Sequence, residues 1–169
     1  MDTKNMVSSA LCVALGVLVP ALFHLFGAAG SIFLPMHIPV LLAGFLLGSR
    51  NGLLVGVLTP VLSSLLTSMP PLFPILPIMV FELAVYGFTG GYFYHACKMS
   101  VFKSLLAAMA AGRIAAMAGA FLLMCGLGVK LSPLFYVSGA IVTGLPGIVL
   151  QLLLVPLLVY RLLTVIMGK

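Results

Sequence analysis

Long apolar stretches, separated by short segments that hold most of the charged residues, constrain this chain more than any other feature. Of its 169 residues, 63% are hydrophobic and only 6% are charged. A soluble domain carries about 25% charged residues, and a single core of this size could not bury so much apolar surface. Lipid must therefore be the solvent for most of the chain. This excludes a soluble enzyme, a nucleic-acid-binding domain and a secreted disulfide scaffold.

Six apolar stretches are candidates for membrane-spanning helices, which need about 20 residues, and the second stretch is short. They cover residues 8–26, 36–48, 52–67, 78–95, 104–127 and 136–162. Between the third and the fourth, residues 68–77 contain four prolines, which a regular helix does not accommodate. The sequence therefore predicts an all-α integral membrane protein, with residues 1–169 forming one transmembrane domain of six helices.

The basic residues predict the orientation of these helices, because Lys and Arg accumulate in cytoplasmic loops. If both termini are cytoplasmic, six basic residues lie inside: Lys4, Arg50, Lys98, Lys103, Arg161 and Lys169. Lys130 alone then lies outside, and Arg113 falls within the fifth span. We therefore expect cytoplasmic N- and C-termini, with the segments 27–35 and 68–77 on the outer side.

Glu82 is the only acidic residue within the predicted spans. A charge near the bilayer centre is costly unless it is paired, neutralised or facing water. At the helical rise of about 1.5 Å per residue, Glu82 and Arg113 lie close enough in depth to meet. Two interpretations stay open. The residues form a structural ion pair, or they face a pocket where Glu82 accepts ligand N–H groups and Arg113 holds a carboxylate or carbonyl.

Three further side chains complete the set of candidate substrate-binding residues. Tyr86 lies one helical turn after Glu82 and could stack on a ring or donate a hydrogen bond. His37 begins the second span, on the outer side, and Gln151 lies near the middle of the sixth, where it binds substrate or bridges helices. The candidates are thus Glu82, Tyr86, Arg113, His37 and Gln151.

Small residues recur at a spacing of four in the first span. Ala10 and Ala14 share one helix face, and such a stripe lets two helices approach closely in lipid. The stripe packs within the bundle, or it contacts a partner membrane subunit.

The two outer segments have unusual compositions for loops. Gly27 and Gly30 belong to a glycine-rich segment, and Pro70 and Pro71 to the proline-rich one. They are either tight interfacial turns or lids that gate an outward-facing pocket.

Motifs for catalysis are absent from the sequence. It contains no GxxxxGK[ST] phosphate loop, no HExxH and no GxSxG. We therefore expect a chain that is not an enzyme, with no catalytic residue, no bound metal, no cofactor and no ATP hydrolysis of its own.

Four stretches resemble the S components of energy-coupling factor (ECF) transporters, which are the substrate-binding subunits of those systems. Residues 10–14 (ALCVA) resemble the AxxxA signature of the first helix, and residues 33–45 (FLPMHIPVLLAGF) are similar to the start of the second helix in the pantothenate, folate and riboflavin branch. Residues 52–56 (GLLVG) and 81–87 (FELAVYG) resemble the corresponding parts of the third and fourth helices.

The resemblance implies that the chain binds a small water-soluble vitamin or a base-like precursor outside a bacterial plasma membrane. It implies docking through Ala10 and Ala14 on a transmembrane coupling subunit, which two ATPase subunits power. The ligand would lie near Glu82 and Tyr86, with Arg113 and His37 close by.

Two alternatives remain. Residues 36–38 (MHI) also resemble the start of cobalt and nickel uptake subunits, although here the tripeptide is internal and lacks the terminal amine that ligates the metal in those proteins. The chain could also be a structural or assembly membrane protein without a ligand.

Overall fold

The computed structural model describes residues 3–24, 32–127 and 132–167. Within these ranges the chain forms seven helices: α1 (Thr3–His24), α2 (His37–Leu47), α3 (Ser49–Thr67), α4 (Ile75–His95), α5 (Val101–Leu127), α6 (Pro133–Thr143) and α7 (Leu145–Met167). Helices α1, α3, α4, α5 and α7 are long and apolar enough to cross a membrane, whereas α2 and α6 are shorter apolar helices. Among the described residues, the prediction of an all-α protein with several helices long enough to span a membrane is confirmed.

Helices α3, α4 and α5 begin at residues 49, 75 and 101, earlier than the apolar runs at 52, 78 and 104 suggested. Their first turns contain residues that an apolar run does not include, among them Arg50, Pro77 and Lys103. A proline is compatible with a first helical turn because the backbone N–H groups there have no partner within the helix.

The predicted span 136–162 is not a single helix. It is divided at Gly144, where α6 ends and α7 follows. Pro146 explains the interruption, because proline cannot donate a backbone hydrogen bond to the carbonyl of Val142 and its ring would clash with that group. In the first turn of α7 the same proline is tolerated.

Helix α4 packs most extensively on α3 and α5, and α2 lies against α4, α3, α1 and α7. Where α2, α3 and α4 meet, backbone contacts backbone. A Cβ atom at Gly87 would overlap the backbone of Gly52, one at Gly44 would overlap the carbonyl of Gly87, and one at Gly56 would overlap the carbonyl of Leu83. Small residues permit this close approach in helical membrane proteins. We call these contacts the glycine seam.

A tight turn at Gly48 joins α2 to α3. Its φ of 91° lies in the left-handed region that glycine adopts without steric cost. The Gly48 N–H donates to the carbonyl of Gly44 at 3.1 Å, and the Asn51 amide donates to the carbonyl of Leu47 at 2.7 Å. The turn and the glycine seam hold α2 in place, and with it His37 at its first position.

Candidate binding site

A cavity of about 440 Å³ lies next to the proline-rich segment. This volume is within the range of small-molecule sites, roughly 300–1,000 Å³. Helices α1, α2, α4, α5 and α6 and two connecting segments supply its walls: Pro20, Leu34, Pro35, Met36, His37, Met69, Pro70, Pro71, Ile75, Met79, Glu82, Arg113, Tyr136, Ala140 and Thr143. Because most of these side chains are apolar, the few polar ones determine which polar groups a molecule could carry.

An ion pair joins α4 to α5 at the cavity wall. Arg113 Nη1 donates to Glu82 Oε1 at 2.7 Å, and the two side chains are 14% and 6% exposed. His37 Nε2 lies 3.6 Å from the same carboxylate oxygen, which is too far for a hydrogen bond. The structure thus brings together His37, Glu82 and Arg113 from three helices.

Several nitrogens of this cluster have no hydrogen-bond partner among the described residues. They are Nη2 of Arg113 and both ring nitrogens of His37, and all three atoms are buried. Buried polar groups in folded proteins are nearly always hydrogen-bonded. Because both side chains line the cavity, these nitrogens could bind polar atoms of a molecule inside it.

Tyr86 lies behind the cluster and not on the cavity wall. Its ring is buried and meets the His37 ring edge to face, with 5.1 Å between the ring centroids. The Tyr86 ring also packs closely against α5, where a Cβ atom at Gly112 would overlap it. Tyr86 therefore contacts His37 and is separated from the cavity.

Gln151 is not part of this group. It is fully buried on α7, is not among the cavity-lining residues, and has no partner for either amide atom among the described residues. One turn earlier, Gly147 packs against the backbone of Phe33. That face of α7 is therefore directed at the segment before α2.

Two serines at the end of α3 hold the proline-rich segment against the cavity. Ser63 Oγ donates to the carbonyl of Met69 at 2.7 Å, and Ser64 Oγ donates to the carbonyl of Pro70 at 2.7 Å. Pro70 and Pro71 both line the cavity, as a lid would. In a helix, backbone N–H groups would donate to these two carbonyls. Here the serine hydroxyls donate instead.

The other predicted lid residues, Gly27 and Gly30, lie outside the described residues. Ala10 and Ala14 lie on an exposed face of α1, next to Leu11 and Leu18, which are also exposed. The small-residue stripe is therefore not used for packing within the described part of the chain.

Sequence reasoning missed several cavity residues, including Tyr136 and the three methionines Met36, Met69 and Met79. Tyr136 could have been predicted, because it lies at the predicted outer end of a span and tyrosine combines an apolar ring with a polar hydroxyl. Methionine is common in membrane helices, and no spacing distinguished these three. Among the described residues, no group of three or more His, Cys, Asp or Glu side chains could hold a metal ion.

The sequence of this chain matches a known protein family. A family model described as the substrate-specific component of ECF transporters matches residues 4–159, from the first turn of α1 to well into α7. No curated protein and no solved structure matches the chain significantly. Since the match covers nearly the whole sequence, the chain belongs to the substrate-specific (S) components of ECF transporters and is a multi-pass plasma membrane protein that serves in transport.

Proposed function

We propose that this chain binds a small water-soluble vitamin or a base-like precursor, as in the pantothenate, folate and riboflavin branch, and carries it across the membrane. The observation that supports this best is the buried cluster of His37, Glu82 and Arg113 on the wall of an otherwise apolar cavity. Charges are costly in a membrane and mark functional sites there more often than elsewhere. The unpartnered nitrogens of the cluster add a reason to expect a polar ligand.

The proposed topology has six spans and cytoplasmic termini, with α6 and α7 together forming the sixth. Helical hydrogen bonds that continue across Gly144 support this pairing. Gly144 N–H donates to the Ala140 carbonyl at 3.0 Å, and Ile148 N–H donates to the Gly144 carbonyl at 2.8 Å. With this orientation the cavity lies on the outer side, because His37 and Ile75 stand at the outer ends of α2 and α4.

The proposed partners are a transmembrane coupling subunit and two ATPase subunits, which supply the energy that this chain does not generate. Family membership supports these partners. The exposed stripe of Ala10 and Ala14 supports α1 as the docking helix, because small residues let a second helix approach closely in lipid. We expect Ala14→Leu to leave ligand binding by the isolated chain unchanged and to weaken its co-purification with the coupling subunit.

A thermal-shift screen of the purified chain in detergent tests the binding function. The panel contains B vitamins, their precursors, nucleobase-like compounds, and cobalt and nickel salts. A ligand present at 100 times its dissociation constant stabilises the folded state by about 2.7 kcal/mol. We expect a vitamin-like compound to raise the melting temperature, and Glu82→Gln and Arg113→Ala to reduce that rise. Arg50→Ala, which changes an exposed residue on α3, should not reduce it.

Two outcomes would favour the alternatives. A protein that melts cooperatively but responds to no compound would indicate a structural or assembly protein in which Glu82 and Arg113 only join α4 to α5. Stabilisation by cobalt or nickel that is lost in His37→Ala would indicate metal uptake.

A further inference from the structure

We infer that the group recognised in the cavity is an uncharged carbonyl-type acceptor, such as a carboxamide, a lactam or a ureide, and not a carboxylate or a cationic amine. The inference rests on the proposed function, because it names the chemical class of ligand for the same site. It follows from the hydrogen bonds that the cluster leaves unmade and from the sum of its charges.

The cluster offers donors at Arg113 and His37, and it also offers an acceptor at Glu82 Oε2, which takes no part in the hydrogen bond from Arg113. Within the described part of the chain, Nη2 of Arg113 and both ring nitrogens of His37 have no partner, and either neutral form of the imidazole offers one N–H. Glu82 Oε1 is already engaged by Arg113 at 2.7 Å. A ligand that satisfies this set must present an acceptor to Arg113 and His37, and an amide-type group can also donate an N–H to Glu82. A cationic amine would instead meet the guanidinium with more donors and with a like charge.

With a neutral His37, the charges of the cluster cancel. Glu82 and Arg113 contribute one negative and one positive charge, and the described residues that line the cavity include no other Lys, Arg, Asp or Glu. Apolar walls surround the pair, and an additional charge in such surroundings costs several kcal/mol unless it is compensated. A carboxylate would add an uncompensated negative charge beside Glu82. An amide-type carbonyl accepts the same hydrogen bonds without adding one.

The remainder of the ligand should be apolar and compact. Met36, Met69 and Met79 line the cavity together with four prolines. Thioether side chains adapt their shape to an apolar partner and make favourable contacts with aromatic rings. A small ring or a short branched chain that carries one amide-type group therefore fits the walls and the cluster together.

Sets of compounds that differ only in their polar group test the inference on the purified chain. They are nicotinamide, nicotinate and 3-(aminomethyl)pyridine; panthenol and pantothenate; and biotinamide and biotin. In any set that binds, we expect the uncharged member to bind at least about tenfold more tightly, the difference that 1.4 kcal/mol produces. A charged member that binds more tightly would overturn the inference and leave the proposed function standing.

The Glu82→Gln variant provides a second measurement, in which the affinities of anionic and uncharged ligands should change in opposite directions. Removing the negative charge leaves Arg113 uncompensated, so an anionic ligand should bind about tenfold more tightly to the variant. An uncharged ligand gains nothing from that charge, and its affinity should fall, as expected for Glu82→Gln in the thermal-shift screen. Arg50→Gln removes a charge of the opposite sign at an exposed position, and it should leave both affinities unchanged.

The broader vitamin screen separates the two proposals where no set binds. A hit in that screen that carries a net charge, and binds more tightly to Glu82→Gln, overturns the inference alone. An uncharged hit that loses affinity in Arg113→Gln supports it. A screen without any hit overturns the proposed function, and the inference with it.

Discussion

The two halves of α4 differ in what they contact: one packs closely against a neighbouring helix, and the other lines the cavity. From Leu83 to Gly91 the helix belongs to the glycine seam, where the backbone of Gly52 lies so close to Gly87 that no side chain would fit there. From Ile75 to Glu82 the same helix contributes to the wall of a cavity of about 440 Å³. A helix that lines a cavity must be held in position by its other contacts. The glycine seam holds α4 about one turn after Glu82, and it does this through backbone contacts without polar side chains.

The ion pair offers the largest test of this division. Arg113→Gln leaves the Glu82 carboxylate buried without a partner, and we expect the free energy of unfolding to fall by about 3 kcal/mol or more. The double variant Glu82→Gln/Arg113→Gln should recover most of that loss, because neither charge remains. Chemical or thermal unfolding of the isolated chain in detergent measures both.

Arg50→Gln, at an exposed site, controls for the change in net charge and should be near neutral. If the single and double variants were equally unstable, the loss would come from the packing of the long arginine side chain and not from the unpaired charge.

Adding a single methyl group by a glycine-to-alanine substitution tests the glycine seam. In Gly87→Ala the new Cβ overlaps the backbone of Gly52, and we expect a loss of about 1–3 kcal/mol in unfolding free energy, because backbone cannot rotate out of the way. Gly90→Ala is the matched control on the same helix. Its Cβ would meet Leu41 at 3.6 Å and Ala108 at 3.7 Å, which are ordinary contacts.

Alanine also favours a helix over glycine by close to 1 kcal/mol, so Gly90→Ala should be neutral or slightly stabilising. Equal effects of the two substitutions would show that α4 is not held by close backbone contact.

The smallest expected effect concerns the segment next to the cavity half of α4. Ser64→Ala removes the hydrogen bond to the Pro70 carbonyl, and we expect it to cost about 1 kcal/mol. If the segment acts as a lid, a ligand found in the screen should also dissociate faster from this variant, as stopped-flow measurements would detect. Ser138→Ala, which removes an exposed hydrogen bond on α6, should change neither quantity. An unaltered dissociation rate in Ser64→Ala would argue against a lid.

Hydropathy was enough to predict most of the architecture. Apolar runs near the length of a bilayer crossing cannot fold in water, and in lipid a helix satisfies its own backbone. The first five predicted spans therefore correspond to α1–α5. The sixth was wrong as a single helix, because hydropathy does not register the missing backbone donor of Pro146, which ends α6 near Gly144.

The sequence by itself determined that this chain lies in a membrane and that Glu82 and Arg113 had to be paired, neutralised or in contact with water there. The cost of an isolated charge in lipid does not depend on the fold. Only the tertiary structure decided that these two residues meet each other, that His37 joins them with free ring nitrogens, and that Tyr86 stands behind His37. It also decided that Gln151 lies apart and that Met36, Met69, Met79 and Tyr136 complete the cavity. Periodicity along one helix gives the face on which a residue lies, but the neighbour of that face depends on how closely helices approach, which the glycines between α2, α3 and α4 set.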